Sequence, residues 1–65
     1  MKIQINGKSS EIRSGTVDEL LRELNLLPSQ VAIEHNGTVL FRHELTQVTL
    51  KQDDKLELIR VVAGG

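Results

Sequence analysis

The 65-residue chain contains no cysteine, one proline and a single aromatic residue, Phe41. The absence of cysteine excludes disulfide bonds, thiolate metal sites and a cysteine nucleophile. One aromatic side chain cannot form the stacking platform that binds single-stranded nucleic acid. Eight basic and nine acidic residues give a formal net charge of −1, so no basic patch for a phosphate backbone is expected. Nucleic acid is therefore not predicted as a partner.

The sequence also lacks a long hydrophobic run. Its N-terminus alternates apolar residues with Lys2, Gln4 and Asn6, which matches neither a signal peptide nor a membrane span. We therefore expect no membrane partner and a cytoplasmic location. At this length we expect a single domain over residues 1–65, too small to enclose a deep substrate pocket. A self-sufficient enzyme is not predicted.

The N-terminal residues predict a β-hairpin. Met1, Ile3 and Ile5 alternate with polar residues, as in a strand with one buried face. The dipeptide Asn6-Gly7 suits the positive φ angles of a tight hairpin turn. A second strand is predicted over residues 9–13, with Ile12 facing inward.

One amphipathic helix is predicted next. Thr16 and Glu19 have the T-x-x-E spacing of a capping box, and Asn25 is the predicted end. The apolar stripe at helical spacing consists of Val17, Leu20, Leu21 and Leu24. The connection over residues 26–28 is expected to pack under the sheet.

The second half of the chain predicts strands and turns, with residues 43–47 as an irregular polar segment that could form one helical turn. Three strands are expected, over residues 31–35, 39–42 and 56–62, and Asn36-Gly37 is a second hairpin turn. One helix across one face of a mixed sheet is the layered solution for this order, with the last strand beside the first in the centre. The fold class is therefore α+β, a β-grasp (ubiquitin-like) roll.

The sequence ends in Ala63-Gly64-Gly65, directly after the last predicted strand. We expect these residues to project as a tip beyond the sheet. Glycine has no Cβ, so it leaves the terminal carbonyl uncrowded and lets the backbone enter a narrow channel. Such a tip suits a protein-borne acyl carrier. The alternative is a frayed end of no functional meaning.

Three stretches of the sequence carry a resemblance to a known family: residues 1–7 (MKIQING), 31–37 (VAIEHNG) and 61–65 (VVAGG). They resemble the ThiS family, the sulfur carriers of thiamine biosynthesis, and the similarity extends over essentially the whole chain. Two positions depart from the family's usual pattern. Asp53 stands where a glycine is common in the turn before the last strand, and Phe41 where proline is common.

The resemblance implies a chemistry for the tail. Gly65 would be adenylated and then converted to a thiocarboxylate, while Ala63, Gly64 and Gly65 enter the partner's active site. The implied partners are an E1-like adenylyltransferase (ThiF-type), a thiazole synthase (ThiG-type) and a sulfur donor such as a cysteine desulfurase system. The chain would bind no cofactor itself, and the activating partner would consume ATP with Mg²⁺.

The sequence is also compatible with two other functions. One is a MoaD-like or ubiquitin-related-modifier carrier that supplies sulfur for molybdopterin or tRNA thiolation. The other is a β-grasp binding module with no carrier role, since one fold hosts unrelated functions.

Ile59 and Val61 are predicted to face away from the helix, and with Phe41 they are candidates for a partner-docking patch. The alternative is that the segment over residues 43–50 covers them. His35 and His43 lack the spacing and the companion residues of a metal site, so no metal is predicted.

Overall fold

The fold was obtained as a computed structural model, and the structure describes residues 1–61. Within that range five strands form one mixed sheet and a single α-helix packs on one face, which confirms the β-grasp prediction. The strands are β1 (Lys2–Ile5), β2 (Lys8–Glu11), β3 (Val31–His35), β4 (Thr38–Leu40) and β5 (Lys55–Arg60); the helix is α1 (Val17–Glu23). Short 3-10 turns occupy Pro28–Gln30 and Arg42–Glu44.

The strand order across the sheet is β2-β1-β5-β3-β4. β5 runs parallel to β1 and antiparallel to β3, so the last strand lies in the centre beside the first, as predicted. It ends at Arg60 rather than at residue 62, which lies outside the described part of the chain.

Both predicted hairpin turns are present. Asn6 and Gly7 have φ angles of 52° and 81°, and Asn36 and Gly37 have φ angles of 51° and 86°, the left-handed pair that two-residue hairpins require. Because each turn has only two residues, β2 and β4 begin one residue earlier than predicted. β4 also ends early, since Arg42 belongs to a 3-10 turn.

The core lies between α1 and the sheet. It is built from nine buried side chains: Ile3, Ile12, Val17, Leu20, Leu21, Ile33, Leu45, Leu50 and Leu56. At the start of α1, the carboxylate of Glu19 accepts hydrogen bonds from the backbone N–H groups of Gly15 and Thr16. This is the Glu19 half of the predicted capping box.

Two predictions about the end of α1 are wrong: that Leu24 belongs to the buried stripe, and that the helix ends at Asn25. Leu24 is 39% exposed, because α1 ends at Glu23 and Leu24 is the C-cap residue. Asn25 follows in the left-handed region, with φ of 59°, and turns the chain away. Leu26 packs partly against the core, but Leu27 is exposed, so only part of the connection lies under the sheet.

Candidate functional site

The predicted tail residues Ala63, Gly64 and Gly65 lie outside the described residues, which end at Val61. The structure does describe the strand that leads to them. β5 pairs with β3 at five positions, from His35↔Leu56 to Val31↔Arg60. The N–H of Val61 donates to the carbonyl of Gln30 at 2.8 Å. On the β3 side, backbone hydrogen bonding of this strand therefore continues up to Val61.

On its other side, β5 is held by β1 and then by a single side chain. The parallel ladder pairs Gln4 with Lys55 and Ile5 with Leu56. Beyond it, Oδ1 of Asn6 accepts from the N–H of Leu58 at 2.8 Å, and Nδ2 of Asn6 donates to the Leu58 carbonyl at 3.2 Å. The Asn6 side chain thus makes the hydrogen bonds to β5 that the backbone of β1 no longer makes once the chain turns at the hairpin.

The predicted docking residues lie on the face of the sheet opposite α1, called here the free face. Ile59 is 53% exposed, Val61 49% and Phe41 65%. Ile59 lies across from the exposed Ala32. Val39, on the next strand, is also exposed and pairs with Glu34.

The free-face patch consists of Ile59, Val61, Phe41, Val39 and Ala32. The alternative that residues 43–50 cover it is wrong, because the leucines of that segment, Leu45 and Leu50, are buried in the core on the opposite side of the sheet. The structure therefore leaves an exposed apolar surface beside the strand that leads to the tail, as docking surfaces require.

A polar cluster that sequence patterns did not indicate lies at the opposite end of β5. Nε2 of His35 is 2.8 Å from Oδ2 of Asp54, and Nδ2 of Asn36 donates to Oδ1 of Asp54 at 3.1 Å. The N–H of Lys51 also donates to the Asp54 carboxylate. Burial of Asp54 is the largest single influence and raises its pKa, but these hydrogen bonds together outweigh it and lower the pKa. The cluster ties the second hairpin to the turn before β5.

His43 is separate from that cluster. Its ring stacks on Phe41 with the ring centroids 6.3 Å apart. In residues 1–61 no three side chains of His, Asp or Glu lie close enough together to hold a metal ion. None of the helices in that range is long and apolar enough to cross a membrane.

A second polar contact joins β2's end to α1. The buried Ser14 hydroxyl donates to Oε1 of Glu23 at 2.5 Å, and the N–H groups of Arg13 and Ser14 donate to the same carboxylate. The Ser14 hydroxyl is the main cause that lowers the pKa of Glu23. Glu23 itself is exposed, and this contact joins its carboxylate to the segment that precedes α1.

Comparison with known proteins identifies a family as well as a fold. The sequence profile of the ThiS family matches residues 3–65. A crystal structure of a thiamine biosynthesis protein (ThiS) from Geobacter metallireducens superposes with a TM-score of 0.84 at 33% identity, covering 100% of both chains. A molybdopterin-converting factor complex of subunits 1 and 2 from Helicobacter pylori includes a chain with a TM-score of 0.61 at 20% identity, with 98% of this chain and 96% of that one covered. That likeness concerns the fold alone.

Two curated relatives are much longer than this chain. Thiazole synthases of Magnetococcus marinus and Paramagnetospirillum magneticum are 38% and 35% identical to it, covering 100% of this chain. The chain spans only 20% of the length of each. With a family profile that matches nearly every residue and a full-length structural relative, the chain belongs to the ThiS family.

Proposed function

We propose that this chain carries sulfur for thiazole formation in thiamine biosynthesis, as a thiocarboxylate on Gly65. The observation that carries the proposal is the family match through residue 65, which includes Gly64 and Gly65. The pairing of β5 up to Val61 supports it, because an ordered strand four residues away gives partners a fixed starting point for the tail.

The proposed chemistry has two steps. The Gly65 carboxylate attacks the α-phosphorus of ATP on the E1-like partner, which releases pyrophosphate and leaves an acyl adenylate. A sulfide equivalent from the sulfur donor then attacks the carbonyl carbon, and AMP leaves with the C–O electron pair. Glycine at this position keeps the attacked carbon uncrowded.

The chain acts as a co-substrate in this scheme. Two of its polar side chains have structural roles: the Ser14 hydroxyl contacts Glu23 of α1, and His35 joins the Asp54 cluster. In this scheme the activating enzyme binds and consumes Mg-ATP. The free-face patch is the surface by which partners would grip the domain, since it adjoins the strand leading to the tail.

Two observations favour thiazole synthase as the acceptor over molybdopterin or tRNA enzymes. Proteins named thiazole synthase contain a segment similar to this whole chain. The thiamine biosynthesis protein is also a better structural match than the molybdopterin-converting factor, with a TM-score of 0.84 against 0.61.

Reconstitution tests the proposal. Incubation with a ThiF-type enzyme, Mg-ATP, a cysteine desulfurase, labelled cysteine and a thiol reductant, which releases the desulfurase persulfide sulfur as sulfide, should transfer label first to this chain and then to the thiazole made by a ThiG-type enzyme. A chain extended by one alanine after Gly65 should remain unlabelled. Preferential transfer to the large subunit of molybdopterin synthase would instead support the MoaD-like function.

Variants of the free-face patch test whether this surface binds the activating enzyme. Ile59→Asp should weaken binding to the activating enzyme, because it places a charge in the centre of the patch. Ser9→Asp is the matched control: Ser9 pairs with Gln4, which pairs with Lys55, so it lies on the same face at the far edge. Equal binding of both variants would show that the patch does not dock.

A further inference from the structure

The backbone of β5 has an open edge at Arg60. Successive N–H groups of a strand point to alternate sides, and that of Val61 points toward β3, where it donates to Gln30. The N–H and C=O of Arg60 therefore point to the β1 side. They have no hydrogen-bond partner within residues 1–61, and β1 has already turned away at Asn6.

A shallow cavity of about 410 Å³ adjoins this edge on the α1 side of the sheet. Its apolar lining is provided by Ile5, Leu24, Leu26, Val31 and Leu58, and Arg60 also lines it. Leu24, the C-cap residue of α1, is 39% exposed here. If β1 continued past Asn6, its next side chain on the α1 side of the sheet would point into this cavity.

We infer that an extended segment of the acceptor enzyme adds to β5 at Arg60, in line with β1 and beyond Asn6. It would hydrogen-bond to the Arg60 N–H and C=O, in the manner of β-strand addition. Because side chains alternate along a strand, one apolar residue would enter the cavity while its neighbours lie beside Ile59 and Val61 on the free face.

The positive charge of Arg60 indicates a second property of the segment that would bind here. Arg60 has no carboxylate within ion-pair distance among residues 1–61. An acidic residue next to the apolar one would pair with it. The edge, the cavity and the guanidinium group therefore favour an extended segment that combines one apolar and one acidic side chain.

The inference rests on the proposed function for the choice of occupant, a ThiG-type thiazole synthase. That enzyme would receive Gly65, five residues after Arg60, so its surface would come within about 17 Å of Arg60. Segments resembling this chain occur within proteins named thiazole synthase, in which the two surfaces would share one polypeptide.

A backbone modification tests the edge directly. At 65 residues the chain is accessible to chemical synthesis, so Arg60 can be N-methylated without a change of side chain. The matched control is N-methyl-Ser9: Ile12 and Met1 form a hydrogen-bonded pair, so the N–H of Ser9 points outward from β2. Neither modification removes a hydrogen bond within the described chain, so both products should fold.

Binding to purified thiazole synthase is then measured by calorimetry. N-methyl-Arg60 should bind about tenfold more weakly or worse, as expected for losing an intermolecular hydrogen bond and adding a clash. N-methyl-Ser9 should bind as the unmodified chain does. Equal affinities of all three would overturn the inference, as would failure of the unmodified chain to bind.

A second pair of variants tests the cavity. Leu24→Asp should weaken binding by about tenfold or more, because the entering apolar side chain would face a charge. Leu27→Asp, at an exposed leucine outside this cavity, should leave affinity unchanged. Identical effects of the two would overturn the cavity assignment.

The outcomes separate this inference from the proposed function. If N-methyl-Arg60 still binds and delivers sulfur normally, the edge is not used while the carrier role stands. If the unmodified chain binds through the edge but is never thiocarboxylated, the carrier chemistry fails and the surface stands. A dimer of this chain that N-methyl-Arg60 abolishes would mean that a second copy is the occupant, which would also overturn the inference.

Discussion

Nε2 of His35 lies 2.8 Å from Oδ2 of Asp54, at the junction between the end of β3 and the turn that begins β5. Both side chains are largely buried. The contact is completed by Asn36, whose Oδ1 accepts from the N–H of Lys55 at 2.8 Å. It fixes the start of the central strand from which the tail emerges at the other end.

Stability should therefore fall in acid. The pKa of Asp54 is lowered on folding, so its stabilising contribution is complete above the ordinary carboxyl pKa of 3.8 and is lost as the pH falls through the lowered value. Urea unfolding of the wild type across this range should show the decline.

Asp54→Asn should remove most of this acid dependence and lower the unfolding free energy at neutral pH by about 2 kcal/mol, since hydrogen bonds to a charged acceptor are lost. The carboxylates of Glu11 and Glu23 also have lowered pKa values, so a residual slope is expected in the variant. An unchanged slope would exclude Asp54 as a main contributor.

The Asn6 side chain should stabilise the junction between β1 and β5. Asn6→Gly keeps the positive φ but removes both hydrogen bonds to Leu58, and it should cost about 1–2 kcal/mol. Asn25→Gly is the control, because Asn25 has φ of 59° and its side chain has no hydrogen bond within residues 1–61. Thermal unfolding should separate the two variants; equal melting temperatures would refute the role assigned to Asn6.

Asp53 adopts φ of 70°, so the non-glycine residue at this family position keeps a backbone suited to glycine. Its N–H donates to the Lys2 carbonyl at 2.8 Å, which holds the turn in place. Asp53→Gly should leave stability unchanged or raise it by up to about 1 kcal/mol, because the left-handed conformation strains a residue with a Cβ. Asp53→Ala should lower it, and a more stable alanine variant would contradict this explanation.

The buried stripe of α1 should dominate stability. Leu20 is fully buried, whereas Leu24 is exposed at the helix end. Leu20→Ala should cost about 2–5 kcal/mol, enough to unfold much of a domain this small. Leu24→Ala should cost under about 1 kcal/mol. Circular dichroism during urea titration gives both values, and a comparable loss for the two would mean that Leu24 belongs to the core.

Local patterns were sufficient for most of the fold. Alternation predicted β1 and β5, the two Asn-Gly dipeptides predicted the hairpins, and the spacing from Val17 to Leu21 predicted the buried face of α1. Leu24 was assigned wrongly because periodicity continues past the point where Asn25 turns the chain. The sequence does not indicate whether the sheet still lies above that position.

The contacts that define the site are non-local. Asn6 and Leu58 lie 52 residues apart, and His35 and Asp54 lie 19 apart, so no spacing signal connects them. Alternation predicted that Ile59 and Val61 face away from the helix. Whether residues 43–50 would cover them depended on where Leu45 and Leu50 pack, which only the folded chain reveals.

The proposed carrier chemistry is tested most directly by mass spectrometry of the C-terminal tryptic peptide, residues 61–65. The chain is first incubated with the activating enzyme, Mg-ATP and a sulfur donor. The proposal predicts a mass shift of one oxygen-to-sulfur exchange, located at the Gly65 carboxylate and absent without ATP. An unmodified peptide, under conditions in which an established ThiS protein is converted, would contradict it.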